Sequence, residues 1–427
     1  MPESPPKFLI LRSAFLSLFF FSPRRLSAVV WCLAAVSFGP VAQELPPNPA
    51  PLSVALDAAW RLSAGSRSLG NRQAELDARQ LAAGAWLSAP PSLSLSQRSD
   101  RLNANQGLRE SEASVALPLW SPGTRAATRA QVDADRAALA AEPRASQLKL
   151  AGELRELAAS VALARLEHQL AQRKVQEAST LLQDTQRRVT SGDSPRVDAL
   201  QAESAVRVAE GQAVQTATAL AQAVSQWRAL TGLTGVSLPD EPVGSSAPPA
   251  LADHPLLAAA NARARAAQAR LKLAEADQRD GPELSVGVIR DRSLASDPSL
   301  TSLRVGVRIP FGGTHRNAPR LAAARAELDT AQAELDAAER QIALDQTTAR
   351  DTVQAAKTAE RLATERATLS LEAQALVAKA YRLGESDLPT RLRTDNERFD
   401  AELALARARV ESQRAAARRL QSSGLLP

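Results

Sequence analysis

Four short stretches of the chain alternate apolar and polar residues, and almost everything between them repeats with a helical period. The alternating stretches are SLSLSQR (92–98), SVALPLW (114–120), ELSVGVIR (283–290) and LRVGVRIP (303–310). In the last, Leu303, Val305, Val307 and Ile309 share one face, while Arg304, Gly306 and Arg308 share the other. Loops rich in Asn, Asp, Ser and Gly separate the members of each pair, so two hairpins with polar tips are predicted, over 92–120 and 283–310. The helical stretches predict a medium helix over Leu52–Leu87, a very long one over Thr124–Thr190 and a medium one over Pro195–Leu230. A comparable set surrounds the second hairpin, led by a shorter helix at 255–279.

The two sets are related by a fixed offset. Shifting the chain by 192 residues lays Pro90 on Pro282, Pro118 on Pro310, Gly192 on Gly384 and Leu200 on Leu392. The expected organisation is therefore two repeats, 43–245 and 246–427, each reading helix, hairpin, very long helix, sharp turn, medium helix. The turns, RRVTSGDSPRVDAL (187–200) and YRLGESDLPTRLR (381–393), place tips at 189–195 and 382–389. Glycine ends a helix with positive φ, Ser194 is positioned to cap the next helix, and Pro195 suits a first helical turn.

Length decides the architecture. The stretch 124–190 makes a rod of roughly 100 Å. Two medium helices stacked end to end match one such rod lying antiparallel to them. A sparse stripe of Leu and Ile among Ala, as in RLAAARAELDTAQAELDAAERQIAL (320–344), suits close coiled-coil packing and cannot fill a wide core. Rods of this kind need lateral neighbours, which favours an oligomer. Pro143 falls inside the first rod, where a kink is expected.

Composition changes this picture at the N-terminus. Aromatic residues make up 3% of the chain, and six of the eight Phe lie in the first forty positions. Arg24 and Arg25 precede the apolar run LSAVVWCLAAVSF, which reads as an export signal over 1–42. The one cysteine, Cys32, lies within it, so the mature chain has neither thiol nor disulfide. Removing the signal deletes four basic residues and one acid, lowering the formal charge from +6 to +3, too weak a bias for a nucleic-acid partner. His168, His254 and His315 lack metal-ligand spacing, and no nucleophile elbow or phosphate loop is present. The reading is of a non-enzyme without cofactor or resident metal.

The tandem repeat, the hairpins ending in LPLW and IPFG, and the Gly turns after very long helices together resemble the TolC family of outer-membrane channel components. The resemblance implies a mainly α fold with a small membrane β-barrel. Long antiparallel coiled-coil helices would form a periplasmic tunnel, and a homotrimer would close a 12-stranded barrel, four strands from each chain. It implies an outer-membrane location in contact with lipid, a periplasmic adaptor (membrane fusion protein) and an inner-membrane pump of the RND type. The wording of the second half is nearest the heavy-metal efflux branch, with drug efflux and type I secretion as alternatives. The rival of a different class is a periplasmic coiled-coil adaptor or scaffold.

Carried onto this chain, the family's adaptor-docking tip falls on Val189, Thr190, Ser191, Gly192, Arg382, Leu383, Gly384 and Glu385. A plain helix–turn–helix accounts for the same residues. Family tips carry an acid six residues after the glycine; Asp198 keeps that pattern and Thr390 does not, while Arg393 adds positive charge. Asp193, Asp198, Asp387 and Arg393 are therefore the pore-constriction candidates, with helix capping as the other role for the acids. Arg304 and Arg308 line either the barrel lumen or an ordinary solvated face. Trp86, Trp120 and Phe311 sit where a membrane-interface belt would lie, or belong to a simple core.

Overall fold

The computed structural model describes residues 51–103, 105–235, 251–312 and 314–427. The expected export signal and the junction between the repeats lie outside the described residues. Seven α-helices and four strands fill the rest: α1 (Leu52–Leu62), α2 (Ala64–Gly84), β1 (Ser92–Ser99), β2 (Arg109–Pro118), α3 (Thr124–Ser191), α4 (Arg196–Thr231), α5 (Pro255–Ala276), β3 (Glu283–Arg292), β4 (Leu300–Arg308), α6 (Thr314–Leu383) and α7 (Leu388–Ser422).

The leading helix departs from expectation by breaking at Ser63. That residue is extended (φ −67°, ψ 146°) and its Oγ accepts from the Ser66 amide at 3.1 Å, capping α2. The apolar periodicity continues on either side, so pattern alone does not register the break. The rod α3 has 68 residues, about 100 Å, and runs through Pro143 as a single helix. Its counterpart α6 has 70 residues, with Pro319 near its start.

The helices form one layer of four tracks. Packed on one side of α3 are α2 and α4; α5 and α7 pack on its other side; α6 packs outside α5 and α7. Small residues permit the close approach. Near the middle of the rod Ala55, Ala151, Leu154, Ala158, Val161 and Trp227 are all nearly inaccessible. Charged groups also cross between tracks: buried Arg398 of α7 pairs with Glu177 of α3 and with Glu402 at 2.7 Å, over the Phe399 ring. On one side a cleft of about 650 Å³ is lined from α2, α3, α5 and α6, so the layer is concave there. Arg270 spans that cleft, pairing with Asp135 at 2.8 Å and with Glu327.

Buried His254 caps α5, its Nδ1 accepting from the Leu256 amide at 3.3 Å. Gly424 lies so close that a Cβ there would come within 2.8 Å of the imidazole. Burial holds the His254 pKa below its ordinary 6.5, opposed by Asp345 and the Ser422 backbone. The folded chain thus resists a proton that the unfolded chain accepts below about pH 6.5. Stability is expected to fall as pH drops from 7 towards 5. His254→Asn, which retains a capping acceptor, is expected to flatten that dependence in thermal unfolding followed by circular dichroism.

The strands form one antiparallel sheet in the order β1-β2-β3-β4, leaving β1 and β4 as edges. In the register, Leu93, Val115, Val286 and Val305 lie side by side, and Leu95, Ala113, Val288 and Leu303 form the next row. Leu117, Leu284 and Val307 make a third row on the same face. The strands differ from expectation mainly at the ends next to the hairpin tips. There β2 begins at Arg109 rather than 114, β3 extends to Arg292, and β4 spans Leu300–Arg308 rather than 303–310.

Candidate functional site

The two helical turns have the same local geometry. After α3, Gly192 adopts φ 86°, its amide donates to Val189 O at 3.2 Å and the Asp193 amide donates to Arg188 O at 2.8 Å. After α6, Gly384 adopts φ 81°, with Gly384 N to Tyr381 O at 3.2 Å and Glu385 N to Ala380 O at 2.9 Å. Both are Schellman closures, which need a left-handed residue and so explain glycine at both positions. No atom within 4 Å would meet a Cβ at either glycine, so both turns face open space. Thr190, Ser191, Arg382, Leu383 and Glu385 are exposed beside them, and Val189 is half-buried.

The helices leaving the turns start differently. Pro195 occupies the N-cap position of α4 and no side chain caps that helix, so the Ser194 cap expected from sequence is not made. At the equivalent place before α7, Asp387 Oδ1 accepts from the Thr390 amide at 3.1 Å. That hydrogen bonding, with Arg393 nearby, holds the Asp387 carboxyl below its usual range. Asp387, one helical turn before Thr390, therefore serves as a helix cap. In the first turn the acid is Asp198, in the opening turn of α4, where a carboxylate also favours the helix N-terminus. Asp193 accepts from Ser191 Oγ at 2.8 Å, and exposed Arg393 lies 3.9 Å from Glu397.

A link between the turns was not visible in the sequence. Arg188 of α3 donates to Tyr381 O at 3.2 Å and to Arg382 O at 3.5 Å, with its guanidinium 4.7 Å from the centre of the Tyr381 ring. The Tyr381 hydroxyl lies 3.4 Å from buried Thr185 Oγ1, and Leu181, Ala202, Leu388 and Leu392 complete the packing. The only available signal was that Tyr381 is the one tyrosine in the chain.

At the opposite end of the rods the sheet presents the reverse of a soluble protein's pattern. Its apolar face is exposed, with Leu93, Leu95, Leu303, Val305 and Val307 between 62 and 75% accessible. The other face carries Ser94, Ser96, Glu110, Glu112, Ser285, Arg304 and Arg308, and is the more enclosed, Gly287 and Ile289 being buried on it. Arg304 pairs with Glu112 at 3.0 Å on this polar face. Where strands meet helices, Trp86 is 86% and Phe311 94% exposed, whereas Trp120 is half-buried and donates to Ala85 O at 3.1 Å.

No family model matches the sequence, and no curated protein matches it. Solved structures do match the fold. The outer membrane protein VceC of Vibrio cholerae gives a TM-score of 0.70 at 15% identity, covering 87% of this chain and 96% of its own. A membrane protein of Pseudomonas aeruginosa gives 0.71 at 18%, covering 87% and 90%. The CmeC outer membrane channel of Campylobacter jejuni gives 0.70 at 12%, covering 96% and 94%. At these identities what is shared is the fold, over nearly the whole length of both partners.

Proposed function

We propose that this chain is one protomer of a trimeric outer-membrane channel, a passive conduit from periplasm to exterior. One observation carries the reading: the apolar face of the sheet is exposed and the polar face enclosed. In water such a sheet is inside out; in lipid it is the arrangement of a barrel wall. A sheet with free edges cannot stand in hydrocarbon, because each unpaired amide there costs several kcal/mol. Strands β1 and β4 lie at the two edges of the sheet, and α2/α4 and α6 at the two edges of the helical layer. A ring of copies closes both sets of edges. Edge helix α6 supports this with Leu362, Leu369, Leu376 and Leu383, which recur every seven residues and are each more than half exposed. Edge helix α4 presents Val197, Leu200 and Val208. The ring size of three comes from the family resemblance; the reading of the two halves as a duplicated unit comes from the 192-residue offset.

In this reading the concave, charge-lined side of the helical layer faces the tunnel, and Arg304 and Arg308 face the barrel lumen. Trp86, Trp120 and Phe311 stand at the periplasmic membrane interface. The turns at Gly192 and Gly384 form the tip that meets a periplasmic adaptor and, through it, an inner-membrane pump. Metal cations are the cargo suggested by the wording of the second half, with drugs as the alternative. Cell fractionation tests the assignment: the protein is expected in outer-membrane fractions as a trimer, and recovery as a soluble periplasmic monomer would instead support a scaffold.

A further inference from the structure

Charge is sorted between the two faces of the sheet. All four of its acids, Glu110, Glu112, Glu283 and Asp291, lie on the polar face. On the apolar face the only charges are three arginines, gathered at the end bearing the hairpin tips. Arg109 sits directly opposite Arg292, and Arg290 stands between Ser111 and Thr301 one row nearer the helices. Arg109 and Arg290 are exposed and Arg292 is half-buried. None of the three has a carboxylate partner among the described residues. Nearby acids are engaged elsewhere: Asp100 accepts from the Gln106 and Gly107 amides, and Asp297 from the Leu294 amide. Arg292 spends only its Nε, on Gly107 O at 3.3 Å.

Height matters as much as charge. Arg290 and Arg292 lie two and four residues beyond Val288, the last apolar residue that β3 contributes to this face. That is about 7 and 13 Å along the strand, or roughly 5 and 10 Å along the normal for a strand tilted as barrel strands are. In the proposed channel, arginines there lie on the outward face, past the apolar rows and towards the hairpin tips, where the wall rises towards the headgroups. Arg also forms bidentate hydrogen bonds to phosphate, which a solvated lysine does not.

We propose that Arg109, Arg290 and Arg292 form a phosphate-binding belt that holds phosphorylated lipid headgroups of the outer leaflet against the barrel. This rests on the channel reading, since the face is outward only in a closed barrel. Each arginine near an anionic surface is worth about fivefold in affinity.

The test uses purified full-length trimer in nanodiscs of zwitterionic phospholipid doped with bis-phosphorylated lipid A or with its dephosphorylated form, and counts retained lipid A per trimer by native mass spectrometry. The parent is expected to retain the phosphorylated form preferentially. Arg290→Gln is expected to weaken retention about fivefold, and R109Q/R290Q/R292Q to remove more than about tenfold, with conductance unchanged. Excess inorganic phosphate is expected to leave retention largely intact; full displacement by it would mark a free-phosphate site and overturn the lipid assignment. Equal retention of both lipid forms, or by parent and triple variant, would overturn the belt. A parent that forms no conducting pore would overturn the channel reading instead, whatever the lipid count.

Discussion

Arginine in place of Val305 is expected to lower the recovery of trimer from the outer membrane by more than about tenfold. Val305 is 63% exposed and lies beside Val286 in an apolar row. A charged side chain on the lipid face near mid-depth costs about 2–4 kcal/mol per copy, and a trimer carries three. The neighbouring Arg304 gives the internal control. It faces the opposite side and pairs with Glu112, so Arg304→Gln is expected to leave trimer recovery near the parent level and to change conductance. Two adjacent residues thus give opposite outcomes, which no general loss of folding reproduces. Equal recovery of Val305→Arg and the parent in outer-membrane fractions would contradict the lipid-facing assignment.

Replacing both tip glycines with leucine is expected to abolish efflux while trimers still form. Both glycines have left-handed φ, so a leucine costs about 1–2 kcal/mol of backbone strain at each. Both also face open space, so folding is not otherwise opposed and the added bulk projects to where a partner would sit. Asparagine tolerates the left-handed conformation and separates the two causes. G192N/G384N is expected to retain more transport than G192L/G384L if strain contributes, and equally little if bulk alone blocks docking. The readout is susceptibility of a deletion strain carrying each variant to zinc, cobalt, cadmium, copper and dyes, beside a trimer assay. Parent-level resistance in the leucine pair would remove the docking role from the turns.

Much of this architecture was legible because helices of about 100 Å and short alternating strands leave strong periodic signals. The turns were legible because glycine suits their left-handed φ best, and α3 and α6 end at Ser191 and Leu383, one residue before each glycine. What escaped had physical reasons. The segment Arg109–Ala113 reads RESEA, with polar residues on both faces, so period-two alternation vanishes although the strand continues. The break at Ser63 interrupts backbone geometry without interrupting apolar spacing. The Arg188–Tyr381 link joins residues 193 apart, and nothing local to either position announces it. Which of its two expected roles Asp387 takes was not legible either; the structure has it accepting from the Thr390 amide as a helix cap. The arginine belt was hidden until register placed Arg109 beside Arg292, because each lies at a strand end that sequence alternation does not reach.

The two ends of the molecule make separate demands on one chain. On the proposed reading, the sheet is stable in lipid only when closed, and the tip docks only when rods of matched length bring both turns to the same level. The most direct measurement of the central claim is the current across a planar lipid bilayer to which the purified, mass-verified protein is added. The account predicts a trimer that inserts and gives discrete, reproducible conductance steps, altered by Arg304→Gln and absent with Val305→Arg. A monomer that leaves the bilayer silent, or steps indifferent to both substitutions, would contradict it.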